Sequence, residues 1–65
     1  MNMYQEKYRQ IVTERIENTE LEIKALTNDY NNSSDDVVKS QIKTFLEKKQ
    51  LLYLDLMERY NGTFR

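Results

Sequence analysis

Asn28-Asp29-Tyr30-Asn31-Asn32-Ser33-Ser34-Asp35-Asp36 is the one long polar interruption in this chain, and its reading decides the fold. Asn and Asp tolerate left-handed backbone and bond their own main chain, so a cluster of them competes with helix and favours a turn. Ser33 or Ser34 is expected to cap a second helix, whose positive end Asp35 and Asp36 complement. The turn is therefore placed at about residues 30–34, between a helix over about 3–29 and another over about 35–60. The single Gly, Gly62, follows Asn61 and reads as a left-handed exit from the second helix, leaving 63–65 as a C-terminal tail. With no Pro and no other Gly, the chain lacks the punctuation that several strands would need.

Outward from the turn, both arms carry helical periodicity. Tyr4, Tyr8, Val12, Ile16, Thr19, Ile23, Leu26 and Tyr30 recur at threes and fours, as do Val38, Ile42, Phe45, Lys49, Leu52, Leu56 and Tyr60. Each stripe covers about 25 residues, or roughly 38 Å at ~1.5 Å per residue. Equal arms around a short turn favour an antiparallel pair. Partners in such a pair have residue numbers of nearly constant sum, and Leu26 with Val38, Ile23 with Ile42, Thr19 with Phe45, Val12 with Leu52, Tyr8 with Leu56 and Tyr4 with Tyr60 all give 64 or 65. The same register sets Glu14, Glu17, Glu20 and Glu22 beside Lys39, Lys43, Lys48 and Lys49. Exposed ion pairs contribute only ~0–1 kcal/mol each, so these charges specify orientation more than stability.

At 65 residues the chain makes one domain, a helical hairpin over 1–62, and a chain of this size buries only about 60% of its unfolded surface. Small scaffolds gain stability from disulfides, metals, close helix packing or association, and with no Cys and no His the first two are nearly excluded. Association is favoured by an apolar surplus at the open end, where Leu51-Leu52-Tyr53-Leu54-Asp55-Leu56-Met57 is apolar nearly all round its helix and Ile11 faces it. A large apolar side chain gains ~1.5–3 kcal/mol on full burial, more than one neighbouring helix can supply to all of these. The expectation is an all-α two-helix hairpin that dimerises into a four-helix bundle or docks on another protein. Its predicted interface is Tyr4, Tyr8, Ile11, Leu51, Tyr53, Leu54, Met57 and Tyr60. Tyr gives broad contact area with a hydroxyl that can stay wet, although Tyr4, Tyr8 and Tyr60 could equally close the open end.

Chemistry is scarcely represented. No His stands ready to activate Ser33, Ser34 or Ser40, so nucleophilic catalysis is not expected, nor is any cofactor or small-molecule substrate. Glu14, Glu17 and Glu20 resemble the acidic ligands of di-metal bundles, but the accompanying Glu-x-x-His pair is absent, and a solvated ion-paired face is the expected role. Lys39, Lys43, Lys48 and Lys49 are the residues that would contact nucleic acid, against a net charge of -1 that gives no global attraction to phosphates. The triplets beginning at Asn31, Asn32 and Asn61 fit the glycosylation pattern by chance in an Asn-rich chain. The beginning of the chain carries no apolar signal core and no run reaches the ~20 apolar residues of a membrane span, so a cytoplasmic location is expected.

In length and layout the chain resembles the plasmid Rop family, short helical hairpins that dimerise into a four-helix bundle and bind paired RNA loops. That resemblance implies a dimeric bundle binding RNA or DNA, with no diagnostic motif to carry contact residues across. Ser40-Gln41-Ile42-Lys43-Thr44 is similar at two positions to the Ser-Gln-Glu-Leu-Asp motif of Spo0E-like phosphatases. It lacks the closing acidic residue, and the activity is not carried over. The function expected from the residues is that of a small non-enzymatic protein-binding module, a bacterial, phage or plasmid regulator or inhibitor acting on a host protein. The alternatives are the nucleic-acid-binding bundle and a structural subunit of a larger assembly.

Overall fold

The computed structural model describes residues 3–64. Helix α1 spans Met3–Asn32 and helix α2 spans Asp36–Phe64, packed as a hairpin with extents of 51 × 15 × 13 Å. The turn occupies only residues 33–35.

Local hydrogen bonding explains why α1 outruns its expected end near residue 29. Asn32 donates its side-chain amide to the Asn28 side-chain oxygen at 3.2 Å, one helical turn back, so the two Asn satisfy each other instead of competing for the backbone. The Ser33 N–H then donates to the Tyr30 carbonyl at 3.4 Å and closes the helix. Asp35, rather than Ser33 or Ser34, caps α2. Its Oδ1 accepts from the Val37 N–H at 2.8 Å and the Val38 N–H at 3.3 Å, while its carbonyl accepts from the Lys39 N–H at 2.9 Å. A carboxylate satisfies two otherwise unpaired donors and adds a full negative charge at the positive helix end, which a hydroxyl cannot. Ser33 supports it, its Oγ accepting from the Asp35 N–H at 3.4 Å.

Moving the turn from about 32 to 34 shifts the pairing register. Arg9 meets Tyr60, Glu20 meets Tyr53, Glu22 meets Lys49 and Tyr30 meets Lys39, pairs whose numbers add to between 69 and 73 instead of 64 or 65. Each two-residue displacement of a turn changes the sum by about four, which accounts for most of the difference.

The inward stripe of α2 changes with it. Lys39, Ile42, Leu46, Lys49, Tyr53, Leu56 and Tyr60, an unbroken alternation of threes and fours, are buried or half-buried against α1. Val38, Phe45 and Leu52, expected in the core, are exposed at 42%, 55% and 42%. On α1 the stripe is as expected from Val12 through Ile16, Thr19, Ile23 and Leu26 to Tyr30. Tyr4 and Tyr8, placed in it by spacing, are exposed. The core is thin: Val12 and Leu56 are its buried apolar side chains among the described residues, joined by Thr19. Thr19 lies there without a stranded hydroxyl, because its Oγ1 donates to the Arg15 carbonyl at 2.7 Å.

At the open end α2 does not leave through Gly62. No described residue has a positive φ, and α2 continues through Asn61, Gly62 and Thr63 to Phe64. A Cβ on Gly62 would meet nothing within 4 Å, so no close approach there calls for glycine. A left-handed cap is favoured where the chain must fold back onto its helix, and here α2 simply extends past the last core side chains. Of the tail expected over 63–65, Thr63 and Phe64 are thus helical and Arg65 lies outside the described residues, as do residues 1 and 2. Neither helix is long and apolar enough to cross a membrane, among the described residues.

Candidate functional site: the apolar side of the hairpin

Two helices lying side by side leave two long sides between which their polar and apolar residues can be divided. Residues seven apart return to nearly the same face of a helix, since seven residues make almost two turns. On α1 such a row is Tyr4, Ile11, Asn18 and Ala25, and on α2 it is Val38, Phe45, Leu52 and Arg59. Every described residue of both rows is exposed. Relative to its helix's inward stripe, each row is displaced in the same rotational sense, and in an antiparallel pair this places both rows on one side of the molecule. The Glu22–Lys49 ion pair and a groove of about 320 Å³ lined by Glu22, Ala25, Leu26, Phe45 and Lys49 bridge the helices on that side. At the observed register, in which facing numbers add to about 70, Ile11 stands level with Arg59, Asn18 with Leu52 and Ala25 with Phe45.

The other side carries the polar contacts that join the two helices. The Tyr53 hydroxyl donates to Glu20 Oε1 at 2.9 Å, and Arg9 donates to the Tyr60 hydroxyl at 3.3 Å with its guanidinium 6.0 Å from the ring centre. Lys39 lies over the Tyr30 ring at 5.1 Å. The Tyr53 hydroxyl is held above its ordinary pKa of 10.0, first by its hydrogen bond to Glu20, then by desolvation, then by the Glu20 charge.

The residues expected at an interface divide among several surfaces. Tyr4, Tyr8 and Ile11 are exposed on the apolar side or its margin. Tyr53, Met57 and Tyr60 are half-buried between the helices. Tyr53, which is not among the α2 stripe residues given by spacing, is turned inward by the changed register. Leu51 and Leu54 are exposed at 68% and 59%, on the back of α2 and towards the polar side respectively, among charged neighbours such as Asp55 and Glu58. Periodicity assigned Val38, Phe45 and Leu52 to the core and so missed them as surface residues. Their seven-residue spacing was the available signal.

The four candidate phosphate-contacting lysines do not form one face. Lys39 and Lys43 flank Tyr30 on the polar side, whereas Lys49 pairs with Glu22 on the apolar side and neighbouring Lys48 points outward there. Of the expected acidic row, Glu22 makes an ion pair, Glu20 accepts from Tyr53, and Glu14 and Glu17 line an outer depression of about 560 Å³ formed by α1 alone. Among the described residues no group of three or more acidic side chains is arranged to hold a metal ion. No family model, curated protein or solved structure matches this chain.

Proposed function

We propose that this chain is a non-enzymatic protein–protein interaction module whose working surface is the apolar side, and that its first partner is a second copy, giving a four-helix bundle. The observation that carries this reading is the gathering of Tyr4, Ile11, Phe45, Leu52 and Val38, all exposed, along one side of the hairpin. Area supports a second copy as the occupant. A globular protein of 7.9 kDa exposes about 4,400 Å² by the relation of surface to mass, whereas this hairpin exposes 5463 Å². The excess, roughly 1,000 Å², is close to the ~800 Å² that each partner gives up in a specific interface. A bundle would also supply the burial that a thin core lacks. Regulation or inhibition of another protein would then be exerted by the assembled bundle, in the cytoplasm on the sequence grounds given above.

Native mass by light scattering across a dilution series, with helicity followed by circular dichroism on the same samples, tests this. Twice the chain mass down to low micromolar concentration is the expected result. A fully helical monomer throughout that range would overturn it.

A further inference from the structure

We infer that the two copies pair end to end reversed, the turn of one over the open end of the other, with Asn18 and Leu52 on the two-fold axis. This rests on the self-association proposed above and adds the geometry of the pair.

Two stacked hairpins whose helices align as in a four-helix bundle have only two arrangements about a two-fold axis, because the axis must lie in the plane between them and run along or across the helices. An axis along the hairpin matches like ends and sets α1 of one copy against α2 of the other. An axis across the hairpin reverses the ends and sets each helix against its own copy. The rows of the apolar side distinguish them. Asn18 and Leu52 are level with each other and lie near mid-length, since α1 runs Met3–Asn32. With like ends matched, Asn18 faces Leu52 twice and Ile11 faces Arg59 twice, so two amides are desolvated against leucine and two guanidiniums against isoleucine. With ends reversed, Leu52 faces Leu52, Asn18 faces Asn18 where two amides can bond each other, Ile11 faces Ala25, and Arg59 lies over the Phe45 ring.

Charge does not separate the two arrangements, and the rows carry the choice. Arg15, towards the open end, and Asp29, towards the turn, make no hydrogen bond or ion pair with another side chain among the described residues. Reversal brings Asp29 to the level of Lys7 of the second copy, which likewise has no ion pair among the described residues, while matched ends bring Arg15 to the level of Asp55 and Glu22 to that of Lys48. A buried Asn meeting its own copy is also the device by which coiled coils fix register, at some cost in stability.

The chain has no Cys, so a single spin label reports cleanly. Ser34 is exposed in the turn and makes no hydrogen bond among the described residues. The experiment is pulsed dipolar spectroscopy on Ser34→Cys carrying a nitroxide, with mass and circular dichroism measured on the same sample. Reversed ends place the two turns about 45 Å apart, one helix length at ~1.5 Å per residue. A distance below about 20 Å, as stacked layers ~10 Å apart would give with like ends matched, overturns the inference while leaving self-association standing. A folded monomer with no dipolar signal overturns both.

Discussion

The two long sides of this hairpin are built from the same two helices and finished differently. On the polar side, Glu20 receives the Tyr53 hydroxyl, Arg9 reaches Tyr60, and Lys39 covers Tyr30, so that polar groups of one helix find partners on the other. On the apolar side a single ion pair, Glu22–Lys49, crosses the helices among the described residues, and Ile11, Phe45 and Leu52 are left facing water. The contrast teaches where a minimal fold ends. Two helices share one seam and join polar groups along one flank, and the other flank, with Ile11, Phe45 and Leu52 exposed, is the surface proposed for association.

The largest effect should come from charging that flank. Leu52→Glu would set two carboxylates against each other at the proposed axis, where burial of an ion costs several kcal/mol, so the dimer should weaken at least ~1,000-fold in Kd. The matched change on the polar side, Gln50→Glu, should leave the mass unchanged. Analytical ultracentrifugation of both variants decides the matter, and equal weakening would erase the distinction between the sides. Next in size is Leu56→Ala, which cuts into the seam that both sides share. A loss of about 2–3 kcal/mol is expected in urea unfolding at fixed protein concentration, at the lower end for Leu→Ala because a two-helix seam can close around the gap.

Asp35→Ala should cost about 1 kcal/mol through loss of the cap, and Ser33→Ala distinctly less, by the same unfolding measurement. A larger effect at Ser33 would reassign the cap to the hydroxyl. The smallest effect concerns the polar side alone. Because the Tyr53 pKa is raised in the folded chain, the Glu20 bond is fully present below the unfolded value near 10.0 and is lost as pH rises through the folded value. Helicity should therefore decline slightly at strongly alkaline pH in the parent. In Glu20→Ala, which removes both the acceptor and the charge, the ultraviolet titration of Tyr53, isolated by comparison with Tyr53→Phe, should move back towards 10.0, and an unmoved titration would remove Glu20 as the cause.

Much of the fold was legible in the residues. The polar stretch from Asn28 to Asp36 marked the turn, the α1 stripe from Val12 to Tyr30 marked its inward face, and the absence of Pro and scarcity of Gly indicated helix throughout. The candidate site was legible only in part. Tyr4 and Tyr8 fitted either a closed end of the hairpin or an interface, while Ile11 could be read as surplus because it falls beside the α1 stripe. Val38, Phe45 and Leu52 could not, because on α2 they sit next to Ile42, Leu46, Tyr53 and Leu56, and the apolar residues form a band wider than one partner helix can cover. Either edge of that band satisfies the three-and-four spacing when Lys49 is admitted to it.

By itself, then, the sequence determined two amphipathic helices, the turn between them and an excess of apolar surface, because local capping and periodicity act within a few residues. Which edge of the α2 band turns inward was decided only by the tertiary structure. The choice depends on register, and register depends on whether Asp35 or a serine caps α2 and on whether the Asn28–Asn32 pair extends α1. A shift of two residues in the turn is a small change locally. Carried along two helices it accompanies the exchange of Phe45 for Leu46 and Leu52 for Tyr53 at the seam, and with it the choice of residues left on the surface.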